Sequence, residues 1–231
     1  MLEIDKWLSD VLKVKSFILR AQEGDPIGEV IPHYKRYFVT AKIPYKNKLA
    51  EELVDFYGYR RVNLQVRYRL NLTGASSSFQ HKINAGNKSS LTYTRHHKDL
   101  TLFAGLFIYD RFSVDPEIPS DWSYNVKSTW IAHPSSNSAR LIAMIDNNPV
   151  GVVVYRIDSV GEIELLCVDP RQRGKGIAKA LVGMVASEML SKNVTQLFVG
   201  TQNENKESCK LYENIGFIRI SELLVLHKTE F

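Results

Sequence analysis

The segment at residues 168–182, VDPRQRGKGIAKALV, constrains the fold most strongly because it joins three local patterns. It begins at the end of the apolar run EIELLCV, which predicts a buried strand. Two glycines follow among basic residues, and IAKALV then places apolar residues at helical spacing. A strand, a glycine turn and a helix in this order indicate an α/β unit, and the helix N-terminus is a place where an anion could bind.

The spacing of the glycines excludes two common phosphate-binding loops. A Walker loop needs Ser or Thr after Gly-Lys, but Gly174-Lys175 is followed by Gly176, and no glycine stands five positions upstream. A dinucleotide-binding turn needs a small residue three positions after its second glycine, where this chain has Lys179. Neither motif therefore describes this loop.

The remaining pattern is Arg171-x-x-Gly174-x-Gly176, which lets the backbone approach a pyrophosphate and point N–H groups at it. Arg173 and Lys175 add positive charge at the same place. An ordinary basic turn without a ligand is the alternative explanation. The loop alone does not decide between them.

A second segment at residues 197–217, LFVGTQNENKESCKLYENIGF, predicts a strand and then a helix that ends at Gly216. In order and separation, the two segments resemble the acetyl-CoA-binding core of the GNAT acyltransferase superfamily. The positions that carry the second half of the resemblance are Asn205, Ser208, Leu211, Tyr212, Gly216 and Phe217. The resemblance implies the GNAT fold, a mixed and mostly antiparallel sheet whose central strands splay apart.

The resemblance also implies an acyl-CoA-dependent N-acetyltransferase in which a substrate amine attacks the thioester of acetyl-CoA directly. Its cofactor-binding residues would be Leu166, Cys167 and Val168 along the pantetheine, and Arg173, Gly174, Lys175, Gly176, Ile177 and Ala178 around the pyrophosphate. Asn205 would bond the pantetheine arm. Tyr212 would contact the cofactor and donate a proton to the departing thiolate.

The general base is less clearly indicated. Glu162 and Glu164 share one face of the predicted strand, and either carboxylate could take the proton of the amine. A solvent-facing position or an ion pair explains them equally well. His133 is a further candidate, although a histidine near a helix end is commonly a cap or a surface residue. The adjacent His96 and His97 have no partners that complete a metal set, so no metal is expected.

The acceptor must be chosen by another part of the chain, because the cofactor motif is shared by enzymes with many acceptors. Residues 102–134 resemble the dTDP-fucosamine N-acetyltransferases of bacterial surface-polysaccharide assembly. That resemblance implies a nucleotide-linked deoxyamino sugar as the substrate, contacted by Arg111 and Phe112 and, further along, by Trp130 and His133.

Two other functions stay open at this point. One is acetylation of a protein N-terminus, a lysine or another small amine. The other is a non-catalytic acyl-CoA-binding module, which the presence of both Asn205 and Tyr212 disfavours because binding alone needs no proton donor.

Residues 71–90 are rich in Ser, Asn and Gly and show no sustained apolar period. We therefore expect an accessory, partly GNAT-like α/β domain at 1–74, a linker at 75–89 and the catalytic domain at 90–231. Within these parts, we expect a strand over residues 11–19 and a helical face over residues 100–109.

The composition narrows the partners and the compartment. A net charge of +5 is too small and too dispersed for a nucleic-acid-binding protein. The partner that the resemblance implies is a small-molecule amine substrate. The chain shows no export signal and no long apolar run, which predicts a cytoplasmic protein without a membrane span. The two cysteines are expected to be reduced thiols, and a homodimer is left open.

Overall fold

The computed structural model describes residues 1–22, 24–25, 34–73 and 91–231. Within these ranges the chain forms a ten-stranded sheet with helices packed on both faces. The strands are β1 (Leu2–Ile4), β2 (Lys15–Leu19), β3 (Tyr37–Pro44), β4 (Arg60–Asn71), β5 (Thr92–Thr94), β6 (Ser138–Ile145), β7 (Asn148–Ile157), β8 (Gly161–Val168), β9 (Gln196–Gln202) and β10 (Ile218–Glu230). The helices are α1 (Lys6–Leu12), α2 (Lys48–Tyr57), α3 (Thr101–Ala104), α4 (Trp122–Ala132), α5 (Ile177–Ser191) and α6 (Lys206–Ile215).

The strand order β1-β2-β3-β10-β4-β9-β8-β7-β6-β5 places the C-terminal strand between β3 and β4. Neighbouring strands are antiparallel except for the β2/β3 and β8/β9 pairs. The predicted mixed, mostly antiparallel sheet is therefore confirmed. The N-terminal strands share one sheet with the C-terminal half, and the boundaries at 1–74 and 90–231 stay predictions. The predicted linker at 75–89 lies outside the described residues.

The core divides into clusters on the two faces of the sheet because side chains alternate along each strand. On one face, Val153 of β7 packs in a cluster with Leu181 of α5. On the other face, Val152 packs with Phe103 of α3 and Ile131 of α4. These two helical layers fix the positions of the central strand ends.

Two local predictions were wrong. Residues 11–19 are not one strand, because α1 continues to Leu12, Lys13 adopts a left-handed conformation and β2 begins at Lys15. Asp5 caps the N-terminus of α1, because its carboxylate accepts a hydrogen bond from the N–H of Leu8. The helix is too short to show a clear apolar period in the sequence. Residues 100–109 are helical only over Thr101–Ala104 and then continue as turns.

The turns between α3 and α4 are attached to the sheet by one buried carboxylate. Asp115 accepts hydrogen bonds from Arg60 of β4, the shortest at 2.7 Å, and from Nδ1 of His227 of β10 at 2.6 Å. The side chains of Asp115 and His227 are 1% and 0% exposed. Burial lowers the pKa of His227 to about 4, so the imidazole is neutral and donates to an ionised Asp115.

This arrangement predicts a stability that falls as the pH falls. The folded-state pKa of His227 lies below its ordinary value of 6.5, so the unfolded chain binds a proton between these two values and the folded chain does not. We expect the free energy of unfolding to decrease by about 2 kcal/mol between pH 7 and pH 5 through this residue. Urea denaturation of the wild type and of His227→Gln at both pH values measures this decrease in the free energy of unfolding. Equal pH dependence in the two proteins would contradict the prediction.

Candidate active site

Strands β8 and β9 separate part-way along their length. They pair only over residues 161–163 and 197–199. Beyond these pairs, β8 stays bonded to β7 as far as Val168, and β9 stays bonded to β4 as far as Gln202. Glu164 lies in a β-bulge at this point, since its neighbours Ile163 and Leu165 pair with consecutive residues of β7. A gap therefore opens between two facing strand edges.

A cavity of about 670 Å³ lies on the side of this gap that faces the glycine loop. We call it the glycine-loop cavity. Every residue predicted to bind the cofactor, except Tyr212, lines it: Leu166, Cys167, Val168, Arg173, Gly174, Lys175, Gly176, Ile177, Ala178 and Asn205. The structure thus brings the two sequence motifs together in one concave surface.

The glycine loop presents unpaired backbone donors to this cavity. Gly174 and Gly176 have φ angles of 75° and 82°, a left-handed region that other residues rarely adopt. Within the part of the chain that the structure describes, the backbone N–H groups of residues 174–179 have no hydrogen-bond acceptor. They precede and begin α5, where the helix dipole favours an anion. The loop is therefore suited to a phosphate or pyrophosphate.

Two further side chains complete the edge of the glycine-loop cavity. The Oδ1 of Asn205 accepts from the N–H of Ser208 at 3.1 Å and begins α6, which leaves its Nδ2 to donate into the cavity. Arg173 lies at the cavity and approaches Glu207. Arg171, in contrast, forms an ion pair with Asp169 and does not line the cavity.

Cys167 lines the cavity but is a poor nucleophile. Burial raises the pKa of its thiol to about 12. The thiol is therefore protonated at neutral pH, and the site offers no thiolate for a covalent acyl intermediate. This agrees with the predicted direct attack of an amine.

A second cavity, of about 430 Å³, lies on the other side of the gap. We call it the Lys42 cavity. Its polar and aromatic lining includes Asp5, Trp7, Lys42, Asp110, Arg111, Phe112, Lys127, Trp130, Glu164, Ser208 and Tyr212. Both cavities are lined by Phe107, Leu166, Asn205 and Ser208, so they adjoin where β8 and β9 part.

Tyr212 lines the Lys42 cavity and not the glycine-loop cavity. It lies one helical turn after Ser208 on α6, so both side chains are on one face of that helix. Burial, together with the nearby Cys209, raises the pKa of its hydroxyl above the usual range. The hydroxyl thus keeps its proton at neutral pH and can serve as a donor.

The structure separates the two predicted bases. Glu164 lines the Lys42 cavity, whereas Glu162 lines neither cavity. Both carboxylates contact Arg156, at 2.9 Å for Glu162 and 3.4 Å for Glu164. Glu164 also accepts hydrogen bonds from the indole of Trp130 at 3.3 Å and from Ser138 at 2.9 Å. Only Glu164 is placed to meet a ligand in this cavity.

Three of the four predicted substrate contacts line the Lys42 cavity. Arg111 lies in it, and Trp130 is held there by its bond to Glu164. Phe112 is only 3% exposed and packs against Phe38, so its ring has no open face for stacking on a nucleotide base. His133 is exposed at the end of α4 and lines neither cavity.

The sequence analysis missed Asp5, Lys42, Asp110 and Lys127. Asp110 accepts from Ser113 and Ser123 and lies 3.5 Å from Nζ of Lys127, which is almost fully buried. No local pattern marks these residues. Lys42 reaches the cavity only because β3 pairs with β10, a contact between distant parts of the chain.

The sequence profile described as the acetyltransferase (GNAT) family matches residues 106–217. This part of the chain, just under half of its length, is similar to that family. The matched range includes the glycine loop, the parted strands and the helix that carries Asn205 and Tyr212. The match supports the predicted class of acyl-CoA-dependent N-acetyltransferase and acetyl-CoA as its cofactor.

Curated relatives are similar over part of their lengths. N-alpha-acetyltransferase 30 of Xenopus laevis is 26% identical over 160 residues, which are 66% of this chain and 56% of that protein. N-acetylaspartate synthetase of Rattus norvegicus is 39% identical over 79 residues, which are 33% of this chain and 26% of that protein. The chain thus spans about half or less of the length of these relatives.

Solved structures share the fold. A GCN5-related N-acetyltransferase from Sphaerobacter thermophilus aligns with a TM-score of 0.53 and 17% identity, covering 84% of this chain and 60% of that one. The predicted GNAT fold is therefore confirmed. Within the described ranges, no helix is long and apolar enough to cross a membrane. The same ranges contain no group of three or more His, Cys, Asp or Glu placed to hold a metal ion.

The glycine loop can be tested at Gly176. A Gly176→Asp change puts a negative charge where the loop amides would meet a pyrophosphate, so we expect the dissociation constant of acetyl-CoA to rise at least about ten-fold. Isothermal calorimetry measures it. Gly58→Asp is the matched control, because Gly58 also has a positive φ of 68° but lines neither cavity. Similar affinities for both variants would refute the assignment of the loop.

Proposed function

We propose that this protein is an N-acetyltransferase that moves the acetyl group of acetyl-CoA onto a primary amine bound in the Lys42 cavity. The observation that carries the proposal is the meeting of two cavities at the gap between β8 and β9. One cavity presents unpaired amides to a phosphate, and the other presents a carboxylate and a tyrosine. A two-substrate transfer needs such adjoining sites.

The residues of the glycine-loop cavity fit acetyl-CoA. The amides of residues 174–179 and the charge of Arg173 suit its pyrophosphate, and the open edge of β8 near Leu166 suits the amides of its pantetheine arm. When bound, acetyl-CoA supplies an activated acetyl thioester. Asn205 Nδ2 would orient the arm toward the point where the cavities meet.

Two side chains would move protons on the acceptor side. Glu164 would take the proton of the incoming ammonium, directly or through water, because it is the predicted base that lines the Lys42 cavity. Trp130 and Ser138 hold its carboxylate in a fixed orientation. Tyr212 would donate its hydroxyl proton near Ser208, where the thiol product is released.

The identity of the acceptor is the finer part of the proposal. The predicted nucleotide-linked amino sugar, as in dTDP-fucosamine, is supported by Arg111 in the cavity but not by the enclosed ring of Phe112. The names of two relatives indicate other acceptors: protein N-termini for N-alpha-acetyltransferase 30, and aspartate for N-acetylaspartate synthetase. We therefore propose a small amine first and treat the peptide and the sugar nucleotide as alternatives. A cytoplasmic location and a homodimer remain predictions.

Product detection by mass spectrometry tests the proposed function. The protein and acetyl-CoA are incubated separately with free amino acids, with peptides that carry a free N-terminus and with a nucleotide-linked amino sugar. We expect a gain of one acetyl group on an amine of at least one class, and the class names the acceptor. Absence of transfer to every class, by a protein that still binds acetyl-CoA, would contradict a catalytic role and favour a binding module.

The role of Tyr212 predicts a specific kinetic defect. Tyr212→Phe removes the proton donor but keeps the ring that packs on Phe217. We expect kcat to fall about 100-fold while the dissociation constant of acetyl-CoA stays unchanged. Tyr124→Phe, at an exposed tyrosine that lines neither cavity, is the control and should keep the wild-type kcat. A wild-type rate in Tyr212→Phe would remove its assignment as the acid.

A further inference from the structure

The Lys42 cavity contains two cations that no carboxylate neutralises directly. Lys42 extends from β3 and Arg111 from the turns before α4, and both line the cavity. Among the described residues, neither side chain forms an ion pair with a carboxylate, although Asp5 and Asp110 attract Arg111 at longer range. Arg111 is half-buried, and most half-buried cations in folded proteins have such a partner, whereas the side chain of Lys42 is exposed to the cavity.

The other charges that line the cavity are already balanced. Lys127 faces Asp110 at 3.5 Å, and Glu164 contacts Arg156. Asp5 caps α1, where the N-terminal end of a helix attracts a carboxylate. The lining thus holds three cations and three acids, and among the described residues Lys42 and Arg111 are its two cations without a direct carboxylate partner.

The two cations are also held on one side of the cavity. The guanidinium of Arg111 lies 4.7 Å from the ring centre of Phe112 and donates to the hydroxyl of Thr40 at 3.4 Å. Thr40 and Lys42 are two residues apart on β3, so their side chains point to the same face of the sheet. Arg111 is therefore anchored beside the strand position that presents Lys42.

Holding these cations together without an anion has an electrostatic cost. Desolvation and the charge of Arg111 lower the pKa of Lys42 to about 7, against the opposing effect of Glu162. Burial lowers the pKa of Arg111 as well. Arg67 and Lys127 also repel Lys42. An anion bound between the two side chains would reverse this cost and would keep Lys42 protonated.

We infer that the acceptor carries an anionic group beside its amine, and that this group binds between Lys42 Nζ and the guanidinium of Arg111. The inference rests on the proposed acetyl transfer and names its substrate class. A carboxylate and a phosphate both meet the requirement, because each accepts hydrogen bonds from a guanidinium and an ammonium. The anionic group would fix the acceptor so that its amine points toward the gap and Glu164.

Paired acceptors test the inference on the wild-type protein. L-aspartate is compared with its dimethyl ester, and a dTDP-linked amino sugar is compared with the free amino sugar. We expect kcat/KM to be at least about ten-fold higher for the anionic member of the pair that is used. The aspartate pair assigns a carboxylate, and the sugar pair assigns a phosphate. Equal or better use of the neutral members would overturn the inference and leave the proposed transferase standing.

Substitutions at Lys42 and Arg111 test whether these two residues cause the preference for anionic acceptors. Lys42→Gln and Arg111→Gln should each raise the KM of the preferred anionic acceptor about 10- to 100-fold and leave the KM of its neutral analogue unchanged. Arg111→Lys should keep part of the affinity for the anionic acceptor that Arg111→Gln loses. Lys98→Gln and Arg36→Gln are the matched controls, since both residues are exposed and line neither cavity.

A direct binding measurement separates failure of the anion site from failure of the proposed function. Calorimetric titration of the same acceptor into the CoA-bound protein should show the same loss of affinity in Lys42→Gln, whose side chain is exposed to the cavity and is not part of the core. Unchanged acceptor binding in Lys42→Gln and Arg111→Gln would refute the site. If neither pair is acetylated but a peptide N-terminus is, the proposed function stands and the inference is overturned. If no amine of any of the three classes is acetylated although acetyl-CoA binds, the proposed function fails and the inference fails with it.

Discussion

The gap between β8 and β9 is the constraint on which the rest of the structure depends. Three residue pairs join the two parallel strands, and a bulge at Glu164 then turns β8 away while β7 and β4 hold the outer edges. Unpaired strand edges in a sheet interior need other polar partners. A cavity on each side of the gap supplies room for them, and Leu166 lies at both. The proposed donor and acceptor sites both follow from this one interruption in the pairing of β8 with β9.

The two sides of the gap are built differently. The glycine-loop cavity comes from residues close in sequence, because the end of β8, the loop and the start of α5 are continuous. The Lys42 cavity is assembled from distant segments, since β10 lies between β3 and β4 and brings the N-terminal strands to the site. The buried pair of Asp115 and His227 ties the turns that carry Arg111 to the same strand. The proposed acceptor site therefore depends on tertiary assembly, whereas the proposed cofactor site depends mainly on a local motif.

This difference explains how far the sequence could predict the site. The glycine loop and most of the lining of the glycine-loop cavity were recognisable because they lie on one continuous strand, loop and helix that resembles a known family. Asn205 was recognisable because it lies in the second segment that carries the same resemblance. Lys42 was not, because its only local context is an ordinary strand, and it meets Arg111 and the paired strand β10 only in the folded chain. Glu162 was proposed from its parity on the strand, and His133 from its residue type and the second resemblance. The structure places both outside the two cavities. The short helix α1 was not predicted, because its seven residues are too few to show a helical period.

A crystal structure with acetyl-CoA tests the central claim most directly, namely that the gap divides a donor site from an acceptor site. The account predicts the pyrophosphate on the amides of residues 174–179, and the sulfur next to Leu166 and Ser208, where the Lys42 cavity begins. Acetyl-CoA bound in the Lys42 cavity itself, or bound along the glycine loop with its sulfur directed away from Tyr212, would contradict it.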